Sequence, residues 1–314
     1  MSEIAILGSG FGLYGYLPAL VKHCGQRVVI PERYRAKFMA RNELADCARQ
    51  VRWVADEQAA LTCASGAVLA LCPAQQTRWL GECIQQAQLE FLILEKPLAT
   101  DPGTALTWLN RLRDSGKTIR IAYLFRYLAW AQMLQKRLLH VELEKLTIQW
   151  QFMAHHFRND LQNWKRDHRQ GGGALRFYGI HLIALLAEFG YQTTNWSITQ
   201  RTSPYEFGRW RAEFSGPGLP ECNIEVDSGS SERTFTLTCN ASSGQVQHID
   251  DDPFELRSHV QVTGEIDRRV SVLAEFCKSA WTLADNPGEM YERVVRLWQS
   301  VEDCDQSETK TAAA

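Results

Sequence analysis

Up to Ala122 the chain alternates short apolar runs with amphipathic stretches, and few folds accommodate that rhythm. Strand candidates fall at Glu3–Leu7, Arg27–Ile30, Val51–Val54, Ala67–Cys72, Leu89–Leu94 and Thr118–Ala122. Helical stretches such as Tyr14–His23, Ala74–Ala87 and Thr104–Asp114 separate them. A strand that is apolar along its whole length is covered on both faces, which is the situation inside a parallel sheet. Parallel neighbours in turn need a helical crossover. The expected class is therefore α/β for this part of the chain.

The first strand runs directly into Gly8-Ser9-Gly10-Phe11-Gly12 and then a helix with Pro18 in its early turns. Glycines at such a turn let the backbone approach a pyrophosphate, and the helix N-terminus offers N–H groups without intrahelical partners. The loop departs from the strict G-x-G-x-x-G form: Leu13 holds the third glycine position and Gly12 comes one residue early. Its place at the first strand-to-helix turn of a βαβ series predicts an N-terminal Rossmann dinucleotide-binding domain. Gly8, Gly10, Phe11 and Gly12 are its phosphate-side candidates. The second strand leads into Pro31-Glu32-Arg33-Tyr34-Arg35. Glu32 would take the adenosine ribose hydroxyls and favour NAD, whereas Arg33 or Arg35 would clamp a 2′-phosphate and favour NADP. Both cofactors stay open on this reading.

The apolar run Leu89–Leu94 delivers Glu95-Lys96-Pro97 to the carboxyl end of a buried strand, where open α/β sheets bind ligands. Structure alone does not require a lysine there; chemistry on a nicotinamide cofactor would use one.

Beyond Val141 the pattern changes. Longer, more alternating candidates appear at Glu144–Phe152, Asn195–Arg201, Arg209–Phe214, Asn223–Val226 and Arg233–Thr238, several joined by polar turns. This predicts a C-terminal α+β domain with a largely antiparallel sheet. One long helix, Gly173–Phe189, interrupts it; helices at Asp267–Ala284 and Pro287–Glu302 close it; a tail from Ser307 to Ala314 is expected to fray. The 314 residues suffice for about two domains, here 1–123 and 124–314, with the closing helices able to pack back on the first.

Net charge is −2, which leaves no electrostatic footprint for nucleic acid or an anionic membrane. Ile180–Phe189 is too short for a membrane span, and Met1–Leu7 lacks the basic region and cleavage site of a signal peptide. Nine cysteines without a Cys-x-x-Cys pair fit a reducing compartment, so a cytoplasmic protein with a small-molecule substrate is expected.

Taken with the glycine loop and Glu95-Lys96-Pro97, the chain resembles the glucose–fructose oxidoreductase / inositol dehydrogenase (Gfo/Idh/MocA) family. Leu69-Ala70-Leu71-Cys72-Pro73 is similar to that family's fourth strand, although its usual Asn and His are Ala74 and Thr77 here. Ile121–Tyr127 resembles the segment that leaves the nucleotide domain, and Gly171–His181 resembles the catalytic helix. The resemblance implies hydride exchange between NAD or NADP and a sugar or polyol carbon. It puts Cys72, Pro73, Glu95, Lys96 and Pro97 against the cofactor. Lys96 becomes a cation beside the nicotinamide and substrate oxygen, set by an often cis bond to Pro97. His181 becomes the proton carrier, a task suited to an imidazole. Tyr123, Arg126, Trp164, Lys165, Arg166 and Phe177 would border the substrate. Relatives are often homodimers or homotetramers, here through the sheet of the second domain.

One position departs. The family's helix carries an aspartate four residues before the histidine; this chain has Phe177 there and Ala184 at a second common acidic position. Three alternatives follow: Tyr178 supplies a hydroxyl near the substrate, the enzyme reduces an imine or a conjugated double bond, or the fold binds cofactor without catalysis. Three weaker features complete the reading. His155-His156 sits just past an expected strand, and since neighbouring strand residues point to opposite faces the pair makes a poor metal site. Asp250-Asp251-Asp252 reads as a solvated turn. Tryptophans such as Trp150, Trp196 and Trp210 read as packing.

Overall fold

The computed structural model describes residues 3–254, 267, 269–282 and 288–309. They form two compact units. The first takes the described residues of Met1–Leu98, Thr107–Tyr127 and Arg257–Gly288, and the second takes those of Ala99–Leu106, Leu128–Leu256 and Glu289–Ala314.

In the first unit, β1 (Glu3–Leu7), β2 (Arg27–Pro31), β3 (Val51–Val54), β4 (Gly66–Leu69), β5 (Phe91–Leu94) and β6 (Thr118–Ile121) form one parallel sheet in the order β3-β2-β1-β4-β5-β6. Ile4–Leu7, Ala67–Leu69 and Leu92–Leu94 are all buried, as central strands covered on both faces require. The order reverses between β1 and β4, and the crevice at such a reversal is where doubly wound sheets take ligands. The helix after β1 differs from a plain α-helix. It contains two π-helical turns, Gly12–Tyr16 and Ala19–His23, with Pro18 between them. Proline lacks the N–H that would continue the ladder, and π-turns absorb such interruptions. The late helix Val270–Thr282 belongs to this unit: Ala274 and Ser279 accept through their carbonyls from Cys24 and from Arg120 (3.2 Å).

The second unit holds β7 (Lys145–Met153), β8 (Thr193–Ser203), β9 (Glu206–Ser215), β10 (Glu221–Asp227), β11 (Gly229–Ala241), β12 (Gly244–Asp250) and β13 (Asp305–Thr309), in the order β12-β11-β7-β10-β9-β8-β13. The sheet is mostly antiparallel; the pairs β7/β10 and β8/β13 are parallel. Alternation sets its inner face, so that Trp210, Ala212 and Phe214 of β9 are buried. Gly179 lies where a Cβ would meet the Trp210 ring, which brings the long helix close to that face.

Three expectations are corrected. The tail does not fray from Ser307, because β13 pairs with β8 from Asp305 to Thr309 and the Ser197 and Thr199 hydroxyls donate to the Asp305 carboxylate at 3.1 and 2.6 Å. That strand is held by polar contacts, which hydrophobic periodicity does not register. Residues 310–314, and the expected ends of the closing helices at Ala284 and Pro287, lie outside the described residues. His155 and His156 sit just past β7, as expected, but they open a short helix, His155–Arg158, where strand alternation does not apply. Asp250 is not solvated: it ends β12, is buried, and pairs with His248 at 2.6 Å. All nine cysteines are free thiols. Among the described residues no helix is long and apolar enough to cross a membrane.

Candidate active site

The glycine loop is built for close approach. Gly8 sits at φ 130°, and a Cβ there would collide with the carbonyl oxygen of Ala70 at the end of β4. Only glycine fits so near the neighbouring strand. Gly10, by contrast, would point a Cβ into open space, which leaves one side of the loop clear for a ligand. Gly10 closes the turn by accepting from the Leu13 N–H at 2.9 Å. Phe11 turns back over the helix, its ring edge-on to Tyr14 (5.3 Å) and Tyr16 (5.5 Å), with the Arg269 guanidinium 4.1 Å over it. The residues present therefore fit a dinucleotide: an open loop, a glycine-enforced approach and a helix N-terminus.

Glu95, Lys96 and Pro97 leave the carboxyl end of β5, and the Lys96–Pro97 bond is cis. Two buried side chains hold the segment. The Tyr16 hydroxyl donates to Glu95 Oε1 at 2.6 Å, and burial together with the Glu95 charge pushes this phenol well above its ordinary range, so it remains a donor. The Gln76 amide donates to the carbonyls of Glu95 (2.7 Å), Leu98 (3.1 Å) and Pro97 (3.4 Å), and accepts from the Glu95 N–H at 3.0 Å. Cys72 caps the helix Pro73–Gln85, with Pro73 at its first position, where no N–H is needed. Tyr123 is buried just past β6, and exposed Arg126 lies over the Tyr127 ring at 5.7 Å.

At the edge of β2, Glu32 pairs with Arg35 at 3.0 Å. Arg33 is held by the buried carboxylate of Glu57, which also accepts from the Tyr34 hydroxyl at 2.5 Å. Lys37 donates to Ser9 in the glycine loop at 2.9 Å. These contacts pair Glu32 with Arg35 and Arg33 with Glu57, so NAD and NADP both stay open.

In the second unit, Gly171-Gly172-Gly173 leads into a π-helical segment, Ala174–Gly179, and then the α-helix Ile180–Phe189. A Cβ on Gly172 would strike the Trp164 and Lys165 backbone, so the triplet brings that loop onto the helix. Trp164 is edge-on to Phe177 (5.2 Å), the Lys165 ammonium lies 5.2 Å from the Phe177 ring centre, and Phe177 meets Tyr178 at 4.7 Å. Tyr178 also touches Phe152 (4.7 Å) and Trp150 (5.6 Å) and stacks at 6.2 Å on His156. Burial, helped by the Lys165 and Arg166 charges, lowers His156 to about 4, so it is neutral near pH 7. Arg166 is held by Glu206 (2.6 Å) and Asp160 (2.7 Å). His181 is buried, 4% exposed, with Phe254 edge-on at 6.0 Å. Phe177 lies in the π-wound segment Ala174–Gly179 and His181 in the α-helix that follows, so the four-residue spacing between them is not that of a regular α-helix.

Four features were not anticipated from sequence: Gln76, Tyr16, Lys37 and the pair Arg176–Glu302. Arg176 binds Glu302 through two contacts of 2.7 and 2.6 Å and donates to the carbonyls of Thr100 and His168. Gln76 did carry a signal. It shares the buried stripe of its helix with Pro73, Leu80 and Cys83, and a polar residue on such a stripe needs partners.

No family model matches the chain, and no curated protein matches it. Solved structures do. KijD10, a 3-ketoreductase from Actinomadura kijaniata in complex with NADP and TDP-benzene, is 12% identical with a TM-score of 0.74 over 99% of both chains. The WlbA dehydrogenase from Bordetella pertussis, in complex with NADH and UDP-GlcNAcA, is 15% identical with a TM-score of 0.73 over 96% of both. A myo-inositol dehydrogenase from Corynebacterium glutamicum is 15% identical with a TM-score of 0.71, covering 98% of this chain and 97% of its own. With its six-stranded parallel sheet and its mixed seven-stranded one, this chain has the fold of the Gfo/Idh/MocA oxidoreductases.

Proposed function

We propose that the chain is an NAD(P)-dependent oxidoreductase that moves hydride between nicotinamide and a sugar or sugar-derived substrate. The observation that carries this reading is in the first unit: an open glycine loop after β1 and a doubly held Glu95-Lys96-Pro97 after β5, both at the carboxyl edge of one parallel sheet. The fold likeness to ketoreductase and dehydrogenase structures supports it. Gly8, Gly10, Phe11 and Gly12 would hold the pyrophosphate, with Cys72 and Pro73 beside it. When bound, the cofactor supplies or accepts the hydride. Lys96 then stabilises negative charge on the substrate oxygen, and His181 carries the proton of the reacting hydroxyl. Tyr123, Arg126, Trp164 and Lys165 are the proposed substrate contacts. Self-association through the seven-stranded sheet belongs to the same proposal and is checked by light scattering.

Mass spectrometry of the cofactor that copurifies, followed by a turnover screen, tests the reading. NAD or NADP should be present, and Lys96→Ala should abolish turnover; a near-normal rate in that variant refutes the role of Lys96. A second reading is favoured by Phe177, which stands among Trp164, Tyr178 and the Lys165 ammonium where the family aspartate is expected. An apolar ring there suits a flat substrate, and the reaction becomes reduction of an imine or conjugated double bond. Screening sugars, imines and tetrapyrroles with reduced cofactor separates the two. Cofactor binding without turnover of any of them leaves the non-catalytic alternative.

A further inference from the structure

We propose that Gln76 is a positioning residue for Lys96: its amide fixes the backbone on both sides of the lysine and so aims the ammonium. This rests on the reading above that Lys96 lies beside the nicotinamide. The strand ladder reaches no further than the Glu95 N–H, which donates to the Leu69 carbonyl at 3.1 Å, and Pro97 has no N–H to donate. Gln76 shares that N–H and adds the hold beyond it. Its Oε1 accepts from the Glu95 N–H, one residue before Lys96, and its Nε2 reaches the carbonyls of Glu95, Pro97 and Leu98.

A side-chain amide has two N–H donors and one carbonyl. The 2.7 and 3.1 Å contacts to Glu95 and Leu98 use the donors, and the 3.4 Å contact to Pro97 shares one. The Gln76 side chain is fully buried, so this valence is met inside the protein. Gln76 is itself anchored: its own N–H donates to the Cys72 carbonyl at 2.8 Å, the opening bond of the helix Pro73–Gln85. The turn after β4 and the turn after β5, two walls of the proposed cofactor site, are thus joined through one side chain. Tyr16 holds the Glu95 carboxylate; Gln76 holds the main chain that carries Lys96.

The test uses bound NADH as probe, so it needs no substrate. Lys96→Met should change the emission of bound NADH by removing a cation beside the ring. Gln76→Met, equal in length but without the amide, should reproduce that change with an NADH Kd within about threefold of wild type. With a substrate from the screen, its kcat should fall about tenfold or more at unchanged cofactor KM. If Lys96→Met changes the emission and Gln76→Met does not, the positioning role is overturned while the placement of Lys96 stands. If Gln76→Met weakens binding but the bound fraction emits as wild type, Gln76 is only structural and the proposal also falls. If Lys96→Met leaves the emission unchanged, the placement and the proposal fall together. Should Gln76→Met not fold, Gln76→Glu keeps the shape and the acceptor for the Glu95 N–H, loses the donors, and is read by the same outcomes.

Discussion

Acid should destabilise the second unit through His168, and replacing that residue with glutamine should flatten the effect by a calculable amount. His168 is half-buried beside the Phe207 ring at 4.6 Å, and its Nδ1 is buried without a hydrogen-bond partner. Burial, reinforced by the Arg176 guanidinium, lowers it from 6.5 to about 4, against an opposing pull from Glu302 at 4.0 Å. That pull is weak because Glu302 is already neutralised by two contacts to Arg176. The native pKa lies below the unfolded one, so between the two values the unfolded chain binds the extra proton. Stability from this group is complete above about pH 6.5, falls as pH drops, and levels off below about 4. Linkage between those values gives a loss of about 2 kcal/mol on going from pH 7.5 to pH 5. Urea unfolding of wild type and His168→Gln, followed by intrinsic fluorescence at both pH values, measures it. All other titrations are common to the two proteins and cancel in the difference. The variant should lose about 2 kcal/mol less than wild type over that interval. Identical pH dependence in the two proteins would refute the account, as would a His168 imidazole that titrates near 6.5 by NMR.

Other expectations follow from single contacts. Gly8→Ala forces a side chain onto the Ala70 carbonyl at a positive φ, so it should cost about 1–3 kcal/mol and remove measurable NADH binding in calorimetry. Arg176→Met strands the Glu302 carboxylate and should lower stability by about 3–5 kcal/mol in urea, with Arg176→Met/Glu302→Gln recovering much of the loss. Tyr16→Phe removes the donor to Glu95 and should cost about 1.5–3 kcal/mol in the same assay. Phe177→Asp would put a carboxylate near Lys165; recovery of activity toward a sugar would support the first functional reading over the flat-substrate one.

What could be seen in advance was whatever short-range pattern encodes. Leu92–Leu94 is apolar at every position because the strand is covered on both faces, and Trp210, Ala212 and Phe214 alternate because β9 has one buried face. β13 escaped notice since Ser197, Thr199 and Asp305 hold it by hydroxyl–carboxylate bonds, which leave no apolar period to find. Asp250 looked like part of a solvated turn because its partner His248 is a strand neighbour only once β12 exists.

At the candidate site the same division holds. The run of residues placed Gly8–Gly12 after the first strand and Lys96 after the fifth, since a motif's place relative to its strand is a local property. Which side chains support them was decided by tertiary structure alone. Tyr16 meets Glu95 across 79 positions and Arg176 meets Glu302 across 126, separations at which no periodicity operates. Gln76 needed both: its place on a buried stripe was written in the sequence, and the carbonyls that satisfy it came within reach only when β4 and β5 paired.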